Sequence, residues 1–258
     1  YNTKKAQWVI QCDMNKGERM GCLKMDFLGL KNLDIMTNSI RLIYKRKGIS
    51  IDLSNLPFED VVFKEIFAKG NTGCVFQFES GGMKQMLVKF GPESFEDIIL
   101  LVASYRPGPM QYIPDMIEIK HKRKKAEYII PQLEDILGKT YGQCIYQEQL
   151  MQVAQKIAGF SLAKADILRQ ATSKKTLGLM ESMKEEFISG ALKNGYEKNQ
   201  AEYIFGLIEK FADYGFNKAH AIAYGLIGYQ LAYLKANYPL SFYGAILSNE
   251  QNSDVHKM

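Results

Sequence analysis

The chain is poor in the residues that most metal and thiol chemistry needs. Its 258 residues hold 4 Cys, 3 His and 1 Trp, and no C-x-x-C occurs. Cys12, Cys22, Cys74 and Cys144 with so little histidine cannot complete a zinc set, and they read as reduced thiols of a cytosolic protein. No apolar run approaches the roughly 20 residues of a membrane helix, and the first residues lack the layout of a signal peptide. Internal repeats and low-complexity tracts are absent. What remains is an ordinary globular composition, 47% hydrophobic and 24% charged, with net charge +5 and sequence pI near 8.8. The apolar content excludes disorder, and the modest positive excess permits a nucleic-acid surface without requiring one.

The stretch from Gly21 to Lys31 alternates. Leu23, Met25 and Phe27 interleave with Cys22, Lys24 and Asp26, the period of a strand with one apolar face. Lys24 and Asp26 then stand side by side on the other face. A carboxylate there supplies a hard oxygen ligand for Mg²⁺, and the ammonium offers a point charge to phosphate. A solvated surface ion pair fits the same spacing. Residues 7–13 also read as a strand, with turn chemistry between, so a β-hairpin is expected at the start. Trp8 is expected to pack within it.

The period-two pattern gives way to helices between residues 30 and 50, and from about residue 50 the helical period dominates. Residues 31–47 form an amphipathic helix stopped by Gly48, with Lys45, Arg46 and Lys47 at its C-terminal end. Pro57 to Lys69 and Ser94 to Tyr105 read as further helices, the second with an S-x-x-D capping pattern. Cys74 to Phe78 reads as a short strand-like run, and Gly81-Gly82 breaks the chain before 83–90. Tyr105 to Pro109 must be extended or turned. An Arg on so rigid a loop suits a nucleic-acid backbone or a triphosphate, or pairs a nearby carboxylate to lock the loop. The run 119–125 is the densest in cations, either a solvated helix end or a footprint for phosphates. Helices follow at 146–158 (closed by Gly159), from Ser161, at 180–194, at 198–212 and at 217–237. Gln147, Gln149 and Gln152 could bond bases or backbone, or form a plain polar face. The last helix is apolar nearly all round and is expected to be buried. Its start at Asn217, Lys218 and His220 has the free N–H groups of an anion site, or a simple N-cap and a satisfied histidine.

K-M-D-F-L-G-L-K (24–31), V-F-Q-F-E-S-G-G-M-K (75–84), Y-R-P-G-P (105–109), Y-G-Q-C-I-Y-Q-E-Q (141–149), A-D-I-L-R (165–169) and F-N-K-A-H (216–220) together resemble the alpha subunit of bacterial DNA polymerase III, the C-family of replicative polymerases, in its DnaE-like branch. The resemblance covers nearly the whole chain. It implies a mainly α fold with a small β part: the last strands of a nucleotidyltransferase-type palm at 1–30, then a helical fingers domain at 31–258. It implies template-directed addition of deoxynucleotides to a primer 3′-hydroxyl by two Mg²⁺ ions, with Asp26 as catalytic residue and metal ligand. Lys24, Arg106, Arg169, Asn217, Lys218 and His220 would face the nucleotide, and Lys122, Arg123, Lys174 and Lys175 would face DNA. The implied partners are primer-template DNA, dNTP, the rest of the polymerase chain, the sliding clamp and other replisome subunits, in the bacterial cytoplasm and with no membrane.

Two departures qualify that set. Gln170 stands where the family has a second Arg, and no D-x-D pair of aspartates occurs. The chain opens on Tyr1, which beside the resemblance reads as a piece of a longer protein that is inactive alone. A helical nucleic-acid-binding or scaffold module without catalysis is the alternative reading.

Overall fold

A computed structural model describes residues 1, 6–25, 29–174, 177–211 and 214–249, with backbone alone at 173, 174 and 177. Twelve α-helices follow one another among them: α1 Met14–Arg19, α2 Lys31–Lys47, α3 Gly81–Phe90, α4 Phe95–Ser104, α5 Ile113–Lys120, α6 Glu134–Leu137, α7 Gln147–Ala158, α8 Leu162–Lys174, α9 Leu177–Lys193, α10 Lys198–Phe211, α11 Lys218–Asn237 and α12 Pro239–Asn249. Gly48 closes α2 and Gly159 closes α7, each in the left-handed conformation that glycine adopts without strain. The Ser94 hydroxyl accepts the Asp97 N–H at 3.2 Å to cap α4.

The side chains bury into two hydrophobic clusters. The first gathers α2, a π-helical turn at Val62–Phe67, α3, α4, α5, α11 and α12 around Phe67, Phe78, Phe90 and Tyr229. The second gathers α6 to α10 around Leu150, Phe187, Phe205 and Phe211. The chain enters the second cluster at Ile130–Leu137 and touches the first again at Tyr141, Ile145 and Tyr146. It crosses to the second between Tyr146 and Leu150, and crosses back between Tyr214 and Phe216. The two crossings lie side by side as a parallel bridge at Tyr146 and Phe216. The Gln147 N–H donates to the Phe216 carbonyl at 2.9 Å, and the Phe216 N–H donates to the Ile145 carbonyl at 3.0 Å.

The expected β-hairpin is not formed: no paired strands run through the described residues, and the described part of 1–30 is irregular apart from α1 and a single bridge residue at Gln7. The Asp13 carboxylate accepts the Lys16 N–H at 3.0 Å and starts a helix where a turn was expected. Alternation marks a strand only where its apolar face is buried against something, and a lone hairpin is marginal in water. Here Leu23 is 81% exposed and Trp8 87% exposed. Trp8 touches Tyr1 edge-on at 5.3 Å and packs in no hairpin.

Two other local expectations change. Residues 74–78 form successive turns, with Cys74 and Gln77 at positive φ and the Thr72 hydroxyl donating to the Phe78 carbonyl at 2.6 Å. Regular helix begins at Asp60, later than Pro57. The Tyr229 hydroxyl donates to the Pro57 carbonyl at 2.7 Å and accepts the Glu59 N–H at 2.8 Å. Phe58 meanwhile stacks on Phe95 at 4.8 Å. A side chain from far along the sequence thus takes the groups that a first helical turn would have used.

Gln149 ties the first crossing down. Its buried carboxamide oxygen accepts the N–H groups of Ile145 and Tyr146, each at 2.9 Å. Its nitrogen donates to the Ile136 carbonyl at 3.1 Å and to the Thr140 hydroxyl at 2.8 Å. Replacing it by leucine strands two buried donors, so Gln149→Leu is expected to cost roughly 2–4 kcal/mol in urea unfolding. A loss below about 1 kcal/mol would mean that water takes over those donors.

Candidate functional site

The predicted cations divide between the paired crossings and the rest of the surface. Arg106 lies on the loop after α4. Its Nε donates to the Ala103 carbonyl at 3.2 Å and its outer nitrogen donates to the Tyr214 carbonyl. The guanidinium lies 4.5 Å from the centre of the Phe216 ring, within cation–π range. Burial pulls its pKa below the usual value, which leaves a guanidinium charged at any ordinary pH. Gly108, two residues on, has φ +99, and a β-carbon there would come within 2.9 Å of Tyr214 Cβ. Only glycine meets both demands. The Y-R-P-G-P loop is thus seated on the second crossing by Arg106 and Gly108 together.

Arg169 reaches the same place from α8. Its Nε donates to Asp166 at 2.8 Å, and it donates to the Gln147 carboxamide oxygen at 3.4 Å. Gln170 donates to the other Asp166 oxygen at 2.7 Å. These bonds, Arg169 first and Gln170 second, hold the Asp166 carboxyl below its ordinary pKa. Gln170 therefore keeps one donor of an arginine at that position but not its charge.

The N-terminal end of α11 completes the group. The Asn217 side chain accepts the His220 N–H at 2.8 Å. The Lys218 N–H donates to both carboxylate oxygens of Glu148, at 3.0 and 3.1 Å. A helix N-terminus attracts anions, and here the first turn of α7 supplies one. The Lys218 ammonium stands 5.4 Å from the Tyr146 ring centre. His220 is exposed, 4.0 Å from the Tyr224 ring and 5.4 Å from Phe216.

Arg106, Arg169, Asn217, Lys218 and His220 thus share one seam, through Phe216, Gln147 and Glu148. The other predicted residues do not join it. Lys24 is exposed on an irregular segment, and Asp26 lies outside the described residues. Arg123 forms a two-bond pair with Glu118 at 2.7 and 2.9 Å after α5, and Lys122 beside it is exposed at positive φ. Lys174 ends α8, its side chain not described, and Lys175 lies outside the described residues. Glu148, Gly108 and Tyr214 position the seam and were not singled out from sequence, because their partners lie 70 to 108 residues away.

The seam thus holds the cations Arg106, Arg169 and Lys218 beside two carboxylates, Asp166 and Glu148. Among the described residues no group of three His, Cys, Asp or Glu side chains could hold a metal ion. No described helix is long and apolar enough to cross a membrane.

Comparison with known proteins is specific. The family model for the bacterial DNA polymerase III alpha subunit finger domain matches residues 32–195. The DNA polymerase III subunit alpha of Halalkalibacterium halodurans is 48% identical over 244 residues, 95% of this chain and 22% of that protein. The subunits of Staphylococcus aureus strains COL and MRSA252 are 48% and 47% identical over 246 residues, 95% of this chain and 23% of each. The chain therefore spans under a quarter of the length of these relatives.

Removing the Glu148 carboxylate takes away the anion at α11. Glu148→Ala is expected to lower unfolding free energy by about 1.5–3 kcal/mol, the range for hydrogen bonds to a charged group. An unchanged urea midpoint would show that α11 is not anchored there. Separately, the Asp166 carboxyl is expected to titrate below an ordinary aspartate by NMR and to move up in Arg169→Met. No movement would break the assigned pair.

Proposed function

Since this chain belongs to the bacterial DNA polymerase III alpha subunit family, and matches its finger domain, we propose that residues 31–258 serve as the fingers of a replicative DNA polymerase. In that reading the seam receives the incoming deoxynucleoside triphosphate opposite the template base. Arg106, Arg169, Lys218 and His220, with the Asn217 cap, hold its phosphates in place. The observation that carries the reading is the convergence of two arginines and a helix N-terminus on the paired crossings.

Phosphoryl transfer rests on positioning and on charge stabilisation more than on covalent chemistry. A cation already fixed by protein hydrogen bonds does not reorganise as charge builds up on the leaving group. Arg106 meets that condition through two backbone carbonyls and a ring face. Arg169 meets it through Asp166 and Gln147. Gln170 leaves the seam one positive charge short of an arginine pair, so the hold on the triphosphate relies on Arg106, Arg169 and Lys218.

The chemistry itself needs more than this chain. Among the described residues no group of side chains fits a metal centre, and the Mg²⁺ ions that we propose for the complete enzyme would take their other ligands from outside this chain. Asp26 is the ligand we propose from this chain, with Lys24 beside it as a phosphate contact. Primer-template DNA is the proposed partner of the fingers, through Lys122, Arg123, Lys174 and Lys175. The rest of the polymerase chain, the sliding clamp and other replisome subunits are proposed for the complete protein in the bacterial cytoplasm. A scaffold without catalytic history is disfavoured by the family match.

The chain alone is expected to extend no primer with Mg²⁺ and all four dNTPs. Extension by a contaminant-free preparation would overturn the division of labour proposed here. In the complete polymerase, Arg169→Met is expected to raise the dNTP KM by about tenfold, the cost of one charge-assisted contact, with primer-template affinity nearly unchanged. Asp26→Asn is expected to abolish turnover while sparing DNA binding. Equal KM in the first variant, or full turnover in the second, would contradict the corresponding role.

A further inference from the structure

Another meeting of cations lies near the far end of α11, about 25 Å from Lys218 by the helical rise. The turn at 70–74 faces α11 and α12 there. Asn71, Gly73, Glu79, Lys84, Lys235 and Tyr243 are among the residues around a cavity of about 560 Å³. Lys235 comes from α11 and Lys84 from α3. Lys235 is 5% exposed, donates to the Gly73 carbonyl at 3.0 Å, and its ammonium stands 5.7 Å from the Tyr243 ring centre.

Gly73 is the point where the two lysines meet. A β-carbon on it would lie 3.8 Å from the Lys84 ammonium and 3.9 Å from that of Lys235. Among the described residues no carboxylate comes within 4.0 Å of either ammonium. Glu79 lines the same cavity but is exposed and pairs with neither lysine. Burial pulls the Lys235 ammonium below its ordinary pKa, Cys74 works against that, and Lys84 adds to it.

An ammonium has three N–H donors, and Lys235 spends one on a neutral carbonyl. That bond accounts for part of Lys235 and for nothing at Lys84. Two like charges brought together, one of them buried, are costly unless an anion compensates them. Two separate point charges with no guanidinium fork suit a tetrahedral, multiply charged group better than a planar carboxylate.

We propose that this cavity binds a phosphate group, held between Lys84 and Lys235 over Gly73. The group comes either from a free polyphosphate such as a nucleotide tail or from the phosphodiester backbone of a single strand. The site is separate from the seam, and the argument stands on the lysine geometry whether or not the fingers assignment holds.

Calorimetric titration of the chain at about 50 mM salt, where screening is modest, separates the two sources. One arm uses inorganic pyrophosphate, the other a short thymidine oligonucleotide without terminal phosphates. Binding is expected in at least one arm. Lys84→Met should weaken it about tenfold, Lys84→Arg should largely retain it, and Lys198→Met, at an exposed position on α10, should leave it unchanged. Bound ligand should also raise the titration point of Lys235, read by NMR of isotope-labelled lysine. Thermal melts of the Lys84 variants control for folding, since the Lys84 ammonium carries no described hydrogen bond. No binding in either arm at millimolar ligand, or equal affinity in Lys84→Met and the parent chain in both arms, would overturn the proposal.

Discussion

Two hydrogen bonds between residues 145–147 and Phe216 hold the structure's two crossings against each other, and the arrangement around them follows from that pairing. The chain leaves one hydrophobic cluster at the first crossing and re-enters it at the second. Fixing the crossings side by side fixes the clusters' edges. The next residues along α7 reinforce both partners. Gln149 turns inward and satisfies the backbone of the first crossing, while Glu148 receives the N-terminus of α11 beyond the second. Arg106 and Gly108 then seat a third segment on Tyr214 and Phe216. Cations from α8, α11 and the loop after α4 are thus gathered by backbone pairing and not by any one helix face.

The charge that gathers there is prepared and partly balanced in advance. Asp166 steadies Arg169 and Glu148 steadies the start of α11, so the side chains need little ordering when a ligand arrives. The opposite holds for the densest basic run. Lys120 pairs with Asp97 at 2.9 Å with both side chains buried, Arg123 with Glu118, and Lys124 with Asp115 at 3.1 Å. The exposed pairs contribute little, since water screens them. The buried one matters differently, because losing either partner strands a charge, and Tyr141 and the Glu93 N–H also bond to Asp97. Lysine density along a sequence is therefore a poor map of free positive surface in this molecule.

What could be read in the sequence was local. Gly48, Gly159, Ser94, Ser161 and Asn217 act where their side chains or missing side chains predict, because a cap needs only its own turn. The apolar character of α11 implied burial, which holds for one face and its second half but not for Ile222 and Leu226, which stay exposed; a β-carbon on Gly228 would sit 2.5 Å from the Phe78 ring. What could not be read was set at a distance. Of the alternating stretch, the described residues 21–25 lie exposed and form no strand. Tyr229 moved the start of the helix after Pro57 from 172 residues away. Glu148 stands in the first turn of its own helix, yet it serves the dipole of another. The site residues from 106 to 220 were named from motifs, while the seam that unites them was invisible until the crossings were seen to pair.

The central claim is that this pairing, and not the separate helices, holds the seam together. Amide hydrogen exchange at Gln147 and Phe216 tests it most directly. If the claim holds, both amides exchange as slowly as those in the buried interior of α7 and α11, through opening near the global unfolding free energy. Exchange at the rate of an open loop, with α7 and α11 still protected, would contradict it.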